Sequence, residues 1–220
     1  MSRWLTALGS SDKFESRIPT GKPAKPTGVP PSTVFTNAPT EDSKTPPEAL
    51  IQDTSLQLLA YLRGERERYL AQGRGLNNAA RAQFGRFFSQ ELLWKILVVV
   101  LTGQRLTNPS LFAEGSRLGA INLPDVTHMA SVTFLDVIVF NEQITDRELF
   151  HALVQTAQVH VLGPRFYTEL FVRGVMRTQS YALAHLQAQA FALDARFATN
   201  PEVAFSVEGE IRTWLDEGRY

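Results

Sequence analysis

The sequence predicts an α+β fold that is predominantly helical and contains a small central β-sheet. Two runs rich in β-branched residues, Leu97–Leu101 and Ser131–Phe140, have the apolar density of buried strands. On both sides of them, apolar residues recur at helical spacing in segments bounded by Gly, Pro and capping residues. These patterns place the strands in the middle of the chain, with helices before and after them.

The composition limits the classes of protein to which the chain can belong. Of its 220 residues 44% are hydrophobic, enough for one good-sized domain and a tail. The 22 basic and 22 acidic residues cancel, so the charge gives no indication of binding to nucleic acid or to an anionic membrane. The lack of cysteine excludes disulfides, thiolate metal sites and a cysteine nucleophile. Because no secretion signal or membrane-spanning run is recognisable, we expect a cytoplasmic protein.

The first part of the chain differs in composition from the rest. Eight of the 12 prolines lie in residues 19–47, where almost no periodic apolar pattern occurs. Residues 1–46 are therefore predicted to form a proline-rich arm that is extended or disordered. An alternative is that the arm wraps along its own domain or a partner, with Val34-Phe35 as the anchor. Residues 47–220 are predicted to form one domain.

Helices are predicted on the N-terminal side of the strands. Apolar residues such as Leu56, Leu59 and Leu62 indicate a first helix that ends near Gly73. A second helix is predicted over residues 78–88. Three shorter elements complete this half of the chain: a helix over residues 90–95 capped by Ser89, a helix over 109–118, and a loop over 119–125.

The C-terminal half is predicted to be helical after the second strand. Thr145 and Glu148 have the spacing of a capping box, which starts a helix that ends near Gly163. Pro164 suits the first position of the next helix. Ser180 is predicted to cap a helix over residues 181–197, and Pro201 to open a last helix that ends near residue 218.

One segment of the first C-terminal helix carries chemical information. In a zincin, two histidines at positions i and i+4 bind zinc, and the Glu after the first one acts as general base. The segment Leu149-Phe150-His151-Ala152-Leu153-Val154-Gln155 resembles the Leu-Phe-His-Glu-Leu-Val-His of small gluzincin-like proteins, which belong to uncharacterised bacterial metallopeptidase-like families. The similarity continues through Leu162-Gly163 and resumes at Leu186–Phe191, where such families carry a Glu.

This resemblance implies a zincin-like fold for the domain and a damaged metal site. His151 matches the first zinc ligand, Ala152 replaces the general base and Gln155 replaces the second histidine. Gln187 replaces the third ligand. Since a carboxamide is a weak zinc ligand and Ala has no base, we expect neither a metal nor another cofactor. The alternative is that His151 and Gln155 are polar residues of an ordinary amphipathic helix.

Other polar residues are candidates for the same cleft. His128 is a plausible neighbour of His151, and Asp136 and Glu142 could line the cleft beside it. Asp136 is unusual because it falls in the middle of a predicted strand, where a carboxylate needs a partner or a solvent-facing cleft. We expect it to be hydrogen-bonded within the core.

Three functions remain open from the sequence. The first is a non-catalytic metallopeptidase-like domain, a pseudoenzyme that binds a peptide, a small ligand or a protein partner. The second is a metal-free enzyme that uses His151 as acid or base together with Asp136, Glu142 or Gln155. The third is a structural or assembly module in which the N-terminal arm makes contacts between subunits. A fold alone does not decide among them.

Overall fold

A computed structural model describes residues 47–117 and 123–220, and the predicted N-terminal arm lies outside these residues. The described part is mostly helical with one small mixed sheet, which confirms the α+β class. The elements in chain order are α1 Glu48–Leu70, β1 Arg74–Gly75, α2 Asn78–Phe84, α3 Gln90–Lys95, β2 Leu97–Val100, α4 Ser110–Arg117, β3 Ser131–Phe134, β4 Val137–Phe140, α5 Asp146–Leu162, α6 Pro164–Thr178, α7 His185–Thr199 and α8 Val207–Asp216.

The four strands form a sheet in the order β1-β2-β4-β3. The two inner strands, β2 and β4, are parallel, and Leu97 lies opposite Val137. The edge strands β1 and β3 each pair antiparallel with their inner neighbour. All four residues of β4 are buried, as expected for a strand that is covered on both faces.

The predicted strand over residues 131–140 is a hairpin, so the prediction of one continuous strand is wrong. Leu135 and Asp136 form its turn, and Leu135 has a left-handed φ of 62°. Asp136 is therefore not in a strand core. Its carboxylate accepts two hydrogen bonds from Arg66 of α1, at 2.5 and 2.9 Å. The arginine that pairs with this carboxylate thus lies on α1, 70 residues earlier in the sequence.

The helices before the sheet follow the predicted order, with one shorter than expected. Ser89 caps α3, because its hydroxyl accepts from the Leu92 amide. The second helix ends at Phe84 rather than at residue 88. The carbonyl of Phe87 accepts from the Val207 amide at the start of α8, so this backbone group serves a tertiary contact.

The capping box at the start of α5 is present as predicted. Thr145 accepts from the Glu148 amide, and the Glu148 carboxylate accepts from the Thr145 amide, both at 3.2 Å. Gly163 ends this helix with a φ of 77°, and Pro164 occupies the first turn of α6. From Leu149 to Val159 every residue except the half-buried His151 is buried, so α5 is surrounded by other elements.

Two predicted helix starts are wrong. Helix α7 begins at His185 with Ala184 as its N-cap, not after Ser180. Helix α8 begins at Val207, because Ser206 accepts from the Gly209 amide, whereas Pro201 lies in a turn. Helix α7 has no side-chain cap at its start, so local spacing gives no signal there, whereas α8 starts at a different local cap, Ser206.

Phenylalanine side chains join α5 to α7 and α8 inside the core. The rings of Phe150 and Phe197 are stacked with centroids 4.2 Å apart. The Phe87 ring lies 5.4 Å from both rings of this pair, and the Phe205 ring lies 5.2 Å from Phe87 and 6.2 Å from Phe150. This cluster sets the position of α5 relative to α7. Within the described residues, no helix has the length and apolar character needed to cross a membrane.

Candidate functional site

A buried amide pair lies where α5 packs against α7. The Gln155 Nε2 atom donates to the Gln187 Oε1 atom at 3.2 Å. The two glutamines are only 6% and 1% exposed, so each amide must find its partners inside the protein. The structure thus brings into direct contact two residues that are 32 positions apart in the sequence.

His151 lies one helical turn before Gln155 and contacts the same amide. Its Nε2 is 3.4 Å from the Gln155 Nε2. Since an amide nitrogen can only donate, this contact requires an imidazole nitrogen that accepts. Burial lowers the pKa of His151, nearby Asp194 raises it and Arg147 lowers it. The neutral ring that the contact needs is therefore the favoured form.

Asp194 is a charged neighbour of His151 that sequence reasoning did not identify. This carboxylate on α7 is 5% exposed and accepts three hydrogen bonds from Arg147, at 2.8–3.1 Å. Its negative charge is thus balanced by a guanidinium from the first turn of α5. The bidentate geometry also joins the two helices beside His151.

Two further side chains complete the surroundings of Gln155. The Thr133 hydroxyl donates to the Gln155 Oε1 at 3.1 Å. Tyr181 lines the same cavity as Gln155, and burial raises the pKa of Tyr181 to about 12 while the Gln155 side chain opposes the shift. We call His151, Gln155, Gln187, Thr133 and Tyr181 the amide cluster. All of its members are uncharged near neutral pH.

Neither Thr133 nor Tyr181 could be found from the sequence. The sequence predicts a strand at Thr133 and the first turn of a helix at Tyr181, and neither pattern indicates a chemical role. The only available signal was alternation in β3, which places Thr133 and Ser131 on one face and Val132 on the other. Their role depends on the packing of β3 and the α6–α7 connection against α5.

The side chain of Ala152 does not take part in the amide cluster. Its side chain is completely buried in the hydrophobic core. Its carbonyl accepts from Thr156 at 3.0 Å and contacts the Thr133 hydroxyl at 3.5 Å. The methyl group is part of the packing of α5.

A cavity of about 80 Å³ adjoins the amide cluster. Its polar lining comes from Thr133, Gln155, Gln187 and three tyrosines, while neither His151 nor Ala152 lines it. No charged side chain is among its lining residues in the described part of the chain. The remaining lining residues are Leu58, Leu62, Pro109, Phe112, Pro124, Val126, Met129, Val132 and Phe171.

The other predicted site residues do not join the amide cluster. The His128 Nδ1 is 2.7 Å from an Asp125 carboxylate oxygen, in an exposed loop. Glu142 is paired with Arg105 and Asp136 with Arg66. None of His128, Asp136 and Glu142 lines the cavity. Both carboxylates thus have arginine partners of their own.

The residues of the amide cluster do not fit a zinc ion. A protein zinc site uses imidazole, thiolate or carboxylate ligands, and only His151 among the three matched positions supplies one. The Gln155 amide nitrogen also points at the imidazole nitrogen that a metal would need. Over residues 47–117 and 123–220, no three His, Asp or Glu side chains are grouped as a metal-binding set.

A larger and more open groove of about 660 Å³ lies between β1, α2 and the start of α5. Arg74, Gln83 and Asp146 line it together with apolar residues, and none of the predicted site residues does. The Gln83 amide donates to Asp146 at 2.8 Å. The smaller cavity is therefore the one associated with the residues that the resemblance singles out.

Comparisons with known proteins do not assign the chain to a family. No protein-family model matches it, and neither the curated proteins nor the solved structures contain a match.

Proposed function

We propose that this chain is a non-catalytic binding domain on a zincin-like scaffold, in which an amide cluster has replaced a zinc site. The observation that supports it most directly is the contact among His151, Gln155 and Gln187. An ordinary amphipathic helix explains why residues 151 and 155 are neighbours, because they are one turn apart. It does not explain why residue 187, singled out by the same resemblance, touches residue 155.

The hydrogen bonds of the cluster explain how the site can remain folded without a metal. Gln155 donates toward Gln187 and His151, and it accepts from Thr133. Both polar atoms of this buried amide are therefore satisfied. If a zinc site lost its ion, its ligands would be left as buried charged or polar groups without partners. The neutral side chains of the amide cluster instead form hydrogen bonds with one another.

The order of elements around the cluster also supports a zincin-like scaffold. The β3–β4 hairpin precedes a capped helix that carries His151 and Gln155, Gly163 ends that helix, and Gln187 follows on α7. These elements appear in the order that the resemblance implies. The proposal of a zincin-like fold rests on this order and on the contact at residue 187.

The observations favour binding over metal-free acid–base chemistry at His151. A carboxylate hydrogen-bonded to the imidazole would assist such chemistry by orienting the ring and stabilising its charged form. Asp136 and Glu142 are paired with arginines elsewhere, and the nearby Asp194 is already held by Arg147. The accepting nitrogen of His151 is further directed at the Gln155 amide.

The test is to reinstall the two lost ligands. The double variant Q155H/Q187E combines the new His and Glu with His151, and we expect it to bind one zinc ion per chain with at least micromolar affinity. Affinity is measured by competition with a chromophoric chelator, and the unchanged protein provides the baseline. Ala152 is left as it is, because its buried position contributes to packing and not to metal binding.

Two controls make this test specific. H151A in the double variant removes one ligand and is expected to lower zinc affinity at least about tenfold. Q52H/Q57E changes two exposed glutamines of α1 to the same residue types and is expected to add no comparable affinity. If Q155H/Q187E folds but binds zinc no better than Q52H/Q57E, the proposed origin of the site is wrong.

A further inference from the structure

The cavity beside the amide cluster has an uneven distribution of polarity. Gln155, Gln187, Thr133 and Tyr181 belong to the amide cluster, whereas most other lining residues are aliphatic or aromatic. A site of this kind combines an apolar enclosure with a few polar groups that orient a ligand. No lining residue in the described part is Asp, Glu, Lys, Arg or His, so a charged ligand would lose its hydration without gaining a counter-charge.

The hydrogen bonds of Gln187 indicate which group a ligand would present. Among the hydrogen bonds of the described residues, Gln187 takes part only as the acceptor from Gln155. Its own Nε2 hydrogens are therefore available as donors, and Gln187 is one of the residues that line the cavity. The complementary group is an uncharged acceptor such as a carbonyl oxygen.

The volume limits the size of such a ligand. The cavity holds about 80 Å³, roughly half of the ~150 Å³ cavity that accepts benzene in a protein core. By that ratio the inner part holds about three heavy atoms, and because the cavity is partly open a ligand of four or five heavy atoms can extend toward its mouth. Short amides such as propanamide have this size, an apolar end and a carbonyl oxygen.

We propose that the cavity binds a small uncharged carbonyl compound of the short-chain amide type, with its carbonyl oxygen on the Gln187 amide and its alkyl end among the apolar residues. This inference rests on the proposed function, since it names the ligand class of the same binding site. A free small molecule suits the cavity better than a peptide, because the volume accommodates a few atoms and no backbone. The ligand is bound without any bond being made or broken.

The test compares isosteric probes on the full chain. Propanamide, propanoate and N-acetylglutamine methylamide are titrated separately while the side-chain amide signals of Gln155 and Gln187 are followed by ¹⁵N–¹H NMR. We expect propanamide to shift both signals in a saturable way and to bind at least about tenfold more tightly than propanoate. Equal affinity for propanamide and propanoate, or no saturable shift with any probe, would overturn the proposal.

Variants separate the two features on which the proposal depends. Q187L removes the donor and is expected to lower propanamide affinity about tenfold, the loss of one hydrogen bond. V132F fills the cavity without altering the amides and is expected to abolish binding, whereas Q52L on the exposed face of α1 should leave it unchanged. If V132F binds propanamide as the unchanged protein does, the ligand lies elsewhere and the proposal fails.

The peptide-like probe and the zinc experiment separate the remaining outcomes. Binding of N-acetylglutamine methylamide without binding of propanamide would identify a peptide side chain as the ligand and overturn the small-molecule proposal. If propanamide binds but Q155H/Q187E shows no increase in zinc affinity, the ligand site is supported and the metal-site origin is contradicted. If Q155H/Q187E gains zinc affinity and propanamide does not bind, the metal-site origin is supported and the ligand site is contradicted.

Discussion

At the scale of single residues, Ala152 shows how one position can have two interpretations. By resemblance it is the place of a lost general base, and in the structure it is a fully buried methyl group of the core. In both interpretations a carboxylate at position 152 would need a partner or a solvent-facing cleft, because burying it without one is unfavourable. The surroundings of Ala152 suit a small apolar side chain.

A152E is therefore expected to destabilise the protein strongly. The new carboxylate would enter a core position that is fully buried, so it must be desolvated or protonated, and the added atoms must displace packed neighbours. We expect a loss of about 3 kcal/mol or more in the free energy of unfolding, measured by urea denaturation. A152S, which adds one atom, is the milder comparison. A loss below about 1 kcal/mol in A152E would mean that residue 152 opens onto a cleft.

His151 predicts a specific dependence of stability on pH. Its pKa is lowered in the folded protein because the ring is buried, although Asp194 opposes the shift. The unfolded chain, with a His pKa of about 6.5, thus binds the proton more readily than the folded chain does. The contribution of neutral His151 to stability is complete above that value, and it decreases as the pH falls below about 6.5.

The measurement compares unfolding free energies at pH 7.5 and at mildly acidic pH. H151Q keeps a neutral polar side chain and is expected to lose less stability than the unchanged protein between these values. H128Q changes an exposed histidine that bonds to Asp125 and serves as the control variant. An acid-induced loss of the same size in H151Q would show that burial of His151 does not cause it.

At the scale of secondary structure, the start of α5 matters because this helix carries two members of the amide cluster. The reciprocal bonds of Thr145 and Glu148 satisfy amides that the first helical turn would otherwise leave without partners. Gln83 of α2 also donates to Asp146, the first residue of the helix. The position of His151 thus depends on contacts one turn before it.

T145A is expected to lower the free energy of unfolding by about 1 kcal/mol, because it removes the hydroxyl half of the capping box. The measurement is chemical denaturation. T102A, which changes an exposed loop threonine, should have an effect within about 0.5 kcal/mol. If the two variants are equally stable, the cap contributes nothing to α5.

The elements differ in how far the sequence alone could predict them. The caps of α3 and α5 were predicted correctly because Ser89, Thr145 and Glu148 act on amides within three residues. The β3–β4 hairpin was missed because its turn uses Leu135 in a left-handed conformation that Gly or Asn more commonly adopts. The ion pair of Asp136 with Arg66, which links this turn to α1, has no local sequence signal.

The same distinction applies to the candidate site. His151 and Gln155 could be placed together from helical spacing, since they are one turn apart. Only the family resemblance points to Gln187, because this residue lies on another helix, 32 positions from Gln155. Thr133 and Tyr181 reach Gln155 through tertiary packing, so no pattern in their own segments reveals them.

At the scale of the whole molecule, one cluster of buried residues extends from α1 through the sheet to α8. The Phe150–Phe197 stack lies inside it, next to the helices that carry the amide cluster. Since these elements share their core, we expect the described part of the chain to unfold cooperatively, in a single transition.

F150A tests this cooperativity. Deleting a fully buried ring that contacts five other phenylalanines is expected to cost about 3–5 kcal/mol of unfolding free energy. Far-ultraviolet circular dichroism and tryptophan fluorescence should still report coincident transitions, with Trp94 on α3 and Trp214 on α8 as probes. Separate transitions for the two signals would show that the described part does not unfold in a single transition.

The glutamines of the amide cluster have a consequence at the level of the gene. Glutamine codons differ from histidine codons only in the third base and from glutamate codons only in the first base. Gln155 is therefore one base change from histidine, and Gln187 is one base change from glutamate. Two point mutations therefore separate the Gln155/Gln187 pair from a His/Glu pair. Evolution can pass between the two pairs through a chain in which only one of the positions has changed.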